Sequence, residues 1–206
     1  MQGRLILAPM DGYTDSPFRL IAHQCGSSLS ISEFINGIDV KNRHPHLKSK
    51  LQFGEAERPF AYQIFDDNPE RMLEAAKKLE MLKPDFIDIN MGCSARNVSN
   101  RGAGAGLLKH PQKIGIMVES LVKSLQVPVT AKIRLGWDEH SLNYMEVAHI
   151  IQESGASAIA VHGRTRKQEY SGSANWSAIA EIKSALSIPV IGNGDVKSQA
   201  DVEAML

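Results

Sequence analysis

Cys93 opens a loop of about fifteen residues rich in Gly, Asn and Arg, directly after an apolar alternation (Phe86, Ile87, Ile89) that reads as a buried strand. A thiol there has three possible uses. It can pack, act as a nucleophile made acidic by a nearby base or cation, or hold its proton at neutral pH and donate it, as an unperturbed thiol with a pKa of about 8.5 does. No apolar periodicity surrounds Cys93, which makes packing the less natural of the three. The second cysteine, Cys25, shares a helical face with Phe18, Ile21 and Ala22 and precedes a capping glycine, so core packing is expected for it.

Other polar residues stand where chemistry is affordable only with a partner. Lys132 lies inside the apolar strand Val129, Ala131, Ile133, Leu135, where an unpaired ammonium is costly. It needs an ion pair, with Asp88 or Glu33 for instance, or an anionic ligand; desolvated, it is also a Schiff-base amine. Arg134 alternates with it and shares its inward direction. Gln63 ends another strand and can both donate and accept. His162, Arg164 and Arg166 follow a further one, offering cationic donors to a phosphate or forming ordinary solvated loop charge. Asn193-Gly194-Asp195 precedes a helix, the arrangement of an anion cradle. Pro9, Met10 and Asp11 end the first apolar run and on their own read as a turn.

The elements that position these residues are short apolar runs alternating with helical periodicity. The runs are Leu5–Ala8, Leu29–Phe34, Phe60–Phe65, Phe86–Asn90, Val127–Leu135, Ala158–His162 and Ile188–Asn193. Ser16-Pro17, Asn68-Pro69 and His110-Pro111 mark helix starts, and Gly26 and Gly155 mark helix ends. Between Gly37 and Pro59 the pattern is indistinct, with a short helix and loop expected over the basic stretch Lys41–Lys50.

Repeated strand–helix units give an α/β fold, doubly wound or a (β/α)8 TIM barrel. Polar clusters follow six of the seven runs, as an active site at the C-terminal face of a barrel requires, whereas a doubly wound sheet gathers them at one switch point. The barrel is therefore expected, with about seven β/α units. On this reading residues 1–206 form an incomplete barrel domain lacking its eighth strand, and the unclosed edges invite oligomerisation.

Composition narrows the classes further. Apolar residues make up 43% of the 206 and charged residues 22%, which excludes disorder, and a net charge of zero removes any global electrostatic case for nucleic acid. Two cysteines argue against a disulfide framework. No apolar run approaches a membrane span, and the opening MQGRLILAPMDG is too quickly polar for a leader. A cytoplasmic protein without membrane or metal partners is expected.

Seven stretches, LAPMDGYTDSPFR, YQIF, DFIDINMGC, GAGAGLL, PVTAKIRLGW, VHGRTRKQEYSG and IPVIGNGD, resemble in order and spacing the tRNA-dihydrouridine synthase family. The resemblance covers essentially the whole chain. It implies an FMN-containing barrel followed by a helical tRNA-binding domain, not present here, that reduces uridine in tRNA with NADPH or NADH as reductant. It further implies that Cys93 protonates carbon 5 of the uracil while hydride reaches carbon 6 from the opposite face. Cofactor contacts fall on Pro9, Met10, Asp11, Gln63, Lys132, His162, Asn193, Gly194 and Asp195, and substrate contacts on Asn90, Arg134, Arg164 and Arg166. Arg96, Arg101 and Lys167 join the latter two as expected RNA-phosphate contacts. Two positions depart from the family pattern: Ser94 replaces a usual Pro, and Asp11 a common Ala. A barrel lyase or aldolase using Lys132, and a non-catalytic RNA-binding remnant, are the alternatives.

Overall fold

A computed structural model describes residues 3–206; Met1 and Gln2, the start of the stretch weighed as a leader, lie outside the described residues. The chain divides into two units, the first running up to Ile89 and including Ser120–Val129, the second comprising Asn90–Glu119 and Thr130–Leu206.

In the first unit, β1 (Ser30–Ile31) and β2 (Ile35–Asn36) both pair in parallel with β3 (Phe60–Phe65), and β3 pairs in parallel with β4 (Phe86–Met91). β3 is buried along its whole length, as its near-continuous apolar run demands of a strand covered on both faces. α1 (Ser16–Gln24) is capped by Asp15, and α4 (Pro69–Glu80) by Asn68, whose side chain accepts from Arg71 N. α4 turns Met72, Ala75, Ala76 and Leu79 into the core.

The second unit carries β5 (Val129–Arg134), β6 (Ala158–His162) and β7 (Val190–Asn193), again parallel and in sequence order. Its helices are α5 (Arg96–Ser99), most of α6 (Pro111–Ser124), α7 (Tyr144–Glu153), α8 (Trp176–Ala185) and α9 (Gln199–Met205). Among the described residues parallel strands alternate with helices from β2 onward, an α/β fold of the (β/α) TIM-barrel type. Among the described residues no helix is long and apolar enough to cross a membrane.

Three expectations are corrected. Leu5–Ala8 forms no ladder: Leu5 O accepts from Ser28 N and Leu7 N donates to Ser27 Oγ, which leaves too few backbone pairs for a strand. Within the run Leu29–Phe34 only Ser30–Ile31 is strand, β1, and β2 follows the run at Ile35–Asn36. Cys25 is exposed, because α1 turns its Phe18 and Ile21 face outward and buries Arg19, which pairs with the fully buried Glu57 at 2.7 Å. The indistinct stretch after β2 holds α2 (Gly37–Asn42), α3 (Leu47–Lys50) and a 3-10 turn at Glu55–Glu57.

Candidate active site

β4 ends one residue short of a tight clamp on Cys93. The Asn90 side-chain oxygen accepts from the backbone N–H groups of Gly92 (3.1 Å) and Cys93 (2.9 Å), an Asx-type turn that bends the chain out of the strand. The Cys93 carbonyl accepts from Ala105 N at 3.1 Å. Beneath it lies Gly104 with φ +53°, where a β-carbon would stand 3.0 Å from Cys93 Cβ. Only glycine meets both the left-handed backbone and that approach. The Cys93 side chain is half-buried.

One residue earlier, the Gly92 carbonyl accepts from Arg134 Nε at 2.8 Å. Arg134 Nη1 donates to the Thr165 and Glu169 carbonyls, each at 2.9 Å, and its charge lies over the Tyr170 ring. This guanidinium is thus bound by backbone oxygens, and burial lowers its pKa. Through these bonds Arg134 fastens the start of the Cys93 loop to the chain that follows β6.

The next layer belongs to β5, β6 and β7, whose register sets Arg134 beside His162 and His162 beside Asn193. Lys132 Nζ donates to Asn193 Oδ1 at 2.9 Å. His162 is pushed down to about 3 by burial first and then by the charges of Arg134, Lys132 and Arg164, so its ring is neutral at ordinary pH. Against that ring sits Gly194, φ +113°, where a β-carbon would stand 2.9 Å from His162 Cδ2.

Buried Arg164 and half-buried Asp195 form an ion pair. Arg164 Nη2 reaches both Asp195 oxygens, at 3.0 and 2.8 Å, and the Gly172 carbonyl at 2.6 Å, while Asp195 also accepts from Ala174 N at 2.7 Å. Those bonds hold the Asp195 carboxyl below its usual range, Ala174 N–H contributing most and Arg164 next. Arg166 donates through Nε to Ser99 Oγ at 3.0 Å and lies over Trp137, and its buried Nη2 has no hydrogen-bond partner among the described residues. Arg164 and Arg166 are thus engaged by partners within their own unit, with Arg166 Nη2 left over. The α9 N-terminus is likewise closed by its own Ser198 and Asp201.

The first unit holds the remaining expected residues. Thr14 Oγ1 accepts from Met10 N and donates to Met10 O, both at 3.0 Å, fixing the turn that contains Pro9 and Met10. Asp11 is ion-paired with Lys50, and Glu33 accepts from Gly12 N. Gln63, fully buried, donates through Nε2 to Asp88 Oδ2 at 2.7 Å.

Lys132 stands within β5, Arg134 ends it, Arg164 and Arg166 follow β6, and the neighbouring His162 is neutral. Sequence reasoning missed Gly92, Ser99 and Tyr170. Tyr170 was visible only as an aromatic in a polar loop, and Ser99 carried no signal of its bond to Arg166.

Residues 6–206 match the family model described as Dihydrouridine synthase (Dus). The chain is 38% identical over all its 206 residues to a probable tRNA-dihydrouridine synthase of Rhizobium leguminosarum bv. phaseoli, of which it covers 65%. It is 42% identical over 96% of its length to tRNA-dihydrouridine synthase B of Pseudomonas aeruginosa, covering 60% of that protein. With the probable tRNA-dihydrouridine synthase of Aquifex aeolicus it shares 40% identity over 99% of its length, covering 65%. The chain thus spans somewhat under two thirds of the length of these relatives. Among solved structures it superposes on histamine dehydrogenase from Rhizobium sp. 4-9 with a TM-score of 0.69 at 13% identity, over 98% of this chain and 41% of that one. A putative lyase/mutase from Burkholderia cenocepacia J2315 gives a TM-score of 0.62 at 12% identity, over 100% of this chain and 74% of that one, and both likenesses concern the fold alone.

Proposed function

The chain belongs to the dihydrouridine synthase family, and on that premise we propose that it carries the reducing site of a flavin-dependent enzyme that converts uridine to 5,6-dihydrouridine in tRNA. The observation that carries the proposal is the clamp on Cys93, which fixes the cysteine backbone through Asn90, Gly104 and Ala105 while leaving the side chain half-exposed.

The residues fit FMN by their donor chemistry. In the second unit Lys132 of β5 and Asn193 of β7 present a cation and an amide, and His162 of the intervening β6 a neutral ring, and these with Gly194 and Asp195 would hold the cofactor. FMN held there would supply the hydride for carbon 6 of the uracil and would be recharged by NADPH or NADH. Cys93 supplies the proton to carbon 5 from the opposite face, its Sγ–H bond breaking as the carbon–hydrogen bond forms. Lys132 favours negative charge on the cofactor. Asn90 and Arg134 hold the donor still, and Arg164 and Arg166 keep the walls in place rather than touching the base.

The visible absorption spectrum of the purified protein tests this reading. Flavin bands that bleach with NADPH or NADH and return when tRNA is added are expected. A colourless protein that still retains RNA would contradict it and favour a non-catalytic RNA-binding remnant.

A further inference from the structure

Arg164 and Arg166 are buried within their own unit, and Lys167 is paired with Asp138 at 2.8 Å. The densest run of cations in the chain lies in the first unit. Between Asp39 and Glu55 the sequence places Lys41, Arg43, Lys48 and Lys50, with His44 and His46, and no acid interrupts them.

The structure makes a surface of this run. Val40 and Leu47 turn inward and are buried, which leaves Lys41, Arg43, His44 and Lys48 exposed. Among the described residues Lys41, Arg43 and Lys48 have no carboxylate partner, whereas His46 reaches Asp39 at 3.3 Å. Arg43 caps α2 in the left-handed conformation, φ 51°, between the two short helices that carry these cations. Lys50 ties the segment to Asp11 and lies over the Phe34 ring. β2 pairs Ile35 with Ile64 and Asn36 with Phe65, so α2 departs from the C-terminal end of β2 and β3, the end that Gln63 approaches. With a net charge of zero, the chain attracts a polyanion only through such local patches.

We propose that the α2–α3 segment is a docking surface for the RNA phosphate backbone, engaged through Lys41, Arg43 and Lys48; that the RNA is tRNA rests on the function proposed above. Exposed cations free of bidentate partners suit sequence-independent phosphate contact, which positions an RNA without reading its bases.

The test is a triple variant, Lys41→Gln, Arg43→Asn and Lys48→Gln, in the full polypeptide that carries this chain; Asn is chosen at 43 because it tolerates the left-handed backbone. tRNA binding is measured between about 50 and 200 mM salt, with melting temperature and dihydrouridine formation at saturating tRNA alongside. Three lost phosphate contacts predict that the slope of log affinity against log salt falls by about 2 to 3. Affinity at the low-salt end should fall by at least about tenfold, with melting and saturated turnover unchanged. A companion carrying Lys41→Arg and Lys48→Arg should keep the parent's binding. An unchanged slope and affinity in the triple variant, with a parent that binds and reduces tRNA, would overturn the docking surface and leave the enzymatic reading standing. A parent that neither binds nor reduces tRNA would overturn both. Lost binding to anionic vesicles or an acidic protein with tRNA binding intact would assign the patch to another partner and overturn the RNA proposal.

Discussion

Arg134 Nε donates to the Gly92 carbonyl at 2.8 Å, which makes a β5 side chain the fastening of the loop that presents Cys93. Arg134→Met removes the donor to Gly92, Thr165 and Glu169 together. Unfolding free energy should fall by about 2 to 4 kcal/mol, since bonds to a charged donor are worth more than neutral ones. Turnover should fall further than flavin binding does, with Arg134→Lys intermediate in both. Denaturant unfolding and flavin titration measure the two effects, and a Met variant of unaltered stability would contradict the role.

Gly104→Ala should be harmful although it adds one methyl group. The new β-carbon meets Cys93 Cβ at 3.0 Å on a backbone at φ +53°, and such strain costs about 1 to 3 kcal/mol. A changed rate of Cys93 alkylation should accompany the loss. An Ala variant with parental stability and thiol reactivity would show that the loop is looser than described.

Much of this arrangement was legible in the residues, and the exceptions have physical causes. β3 and β6 fall where apolar runs place them, and Asn68 caps α4 as its position before Pro69 implies. Cys25 was misplaced because apolar spacing reveals that a helix has a face, not which way the face turns; on α1 the buried side chain is Arg19, held by a glutamate 38 residues away. The guanidinia of Arg164 and Arg166 sit in a loop, where no periodicity reports direction. Their partners, Asp195 and Ser99, lie 31 and 67 residues distant, beyond local pattern.

Lys132→Ala should weaken flavin binding or lower the flavin reduction potential, since it deletes the cation that Asn193 orients. Titration with FMN and a redox titration read the two quantities. If neither moves, Lys132 serves structure alone.

His162 gives stability a pH dependence. Its folded pKa is held at about 3, so the fold keeps the ring neutral while the unfolded chain takes up a proton below about pH 6.5. Stability from this group is therefore complete above about pH 6.5 and declines as pH falls toward about 3, by at most about 1.4 kcal/mol per pH unit. His162→Gln should flatten that slope in denaturant titrations across the window. An equal slope in the variant would assign the acid sensitivity to other groups.

The most direct measurement is dihydrouridine formation in tRNA by the Cys93→Ala protein. Removing only the proton donor should leave flavin binding and flavin reduction by NADPH intact while product formation falls by about 100-fold or more, the usual scale of a lost general acid. Cys25→Ala, at an exposed position on α1, should match the parent. A Cys93→Ala protein with full product formation, or a selective loss of turnover in Cys25→Ala, would contradict the assignment on which the account rests.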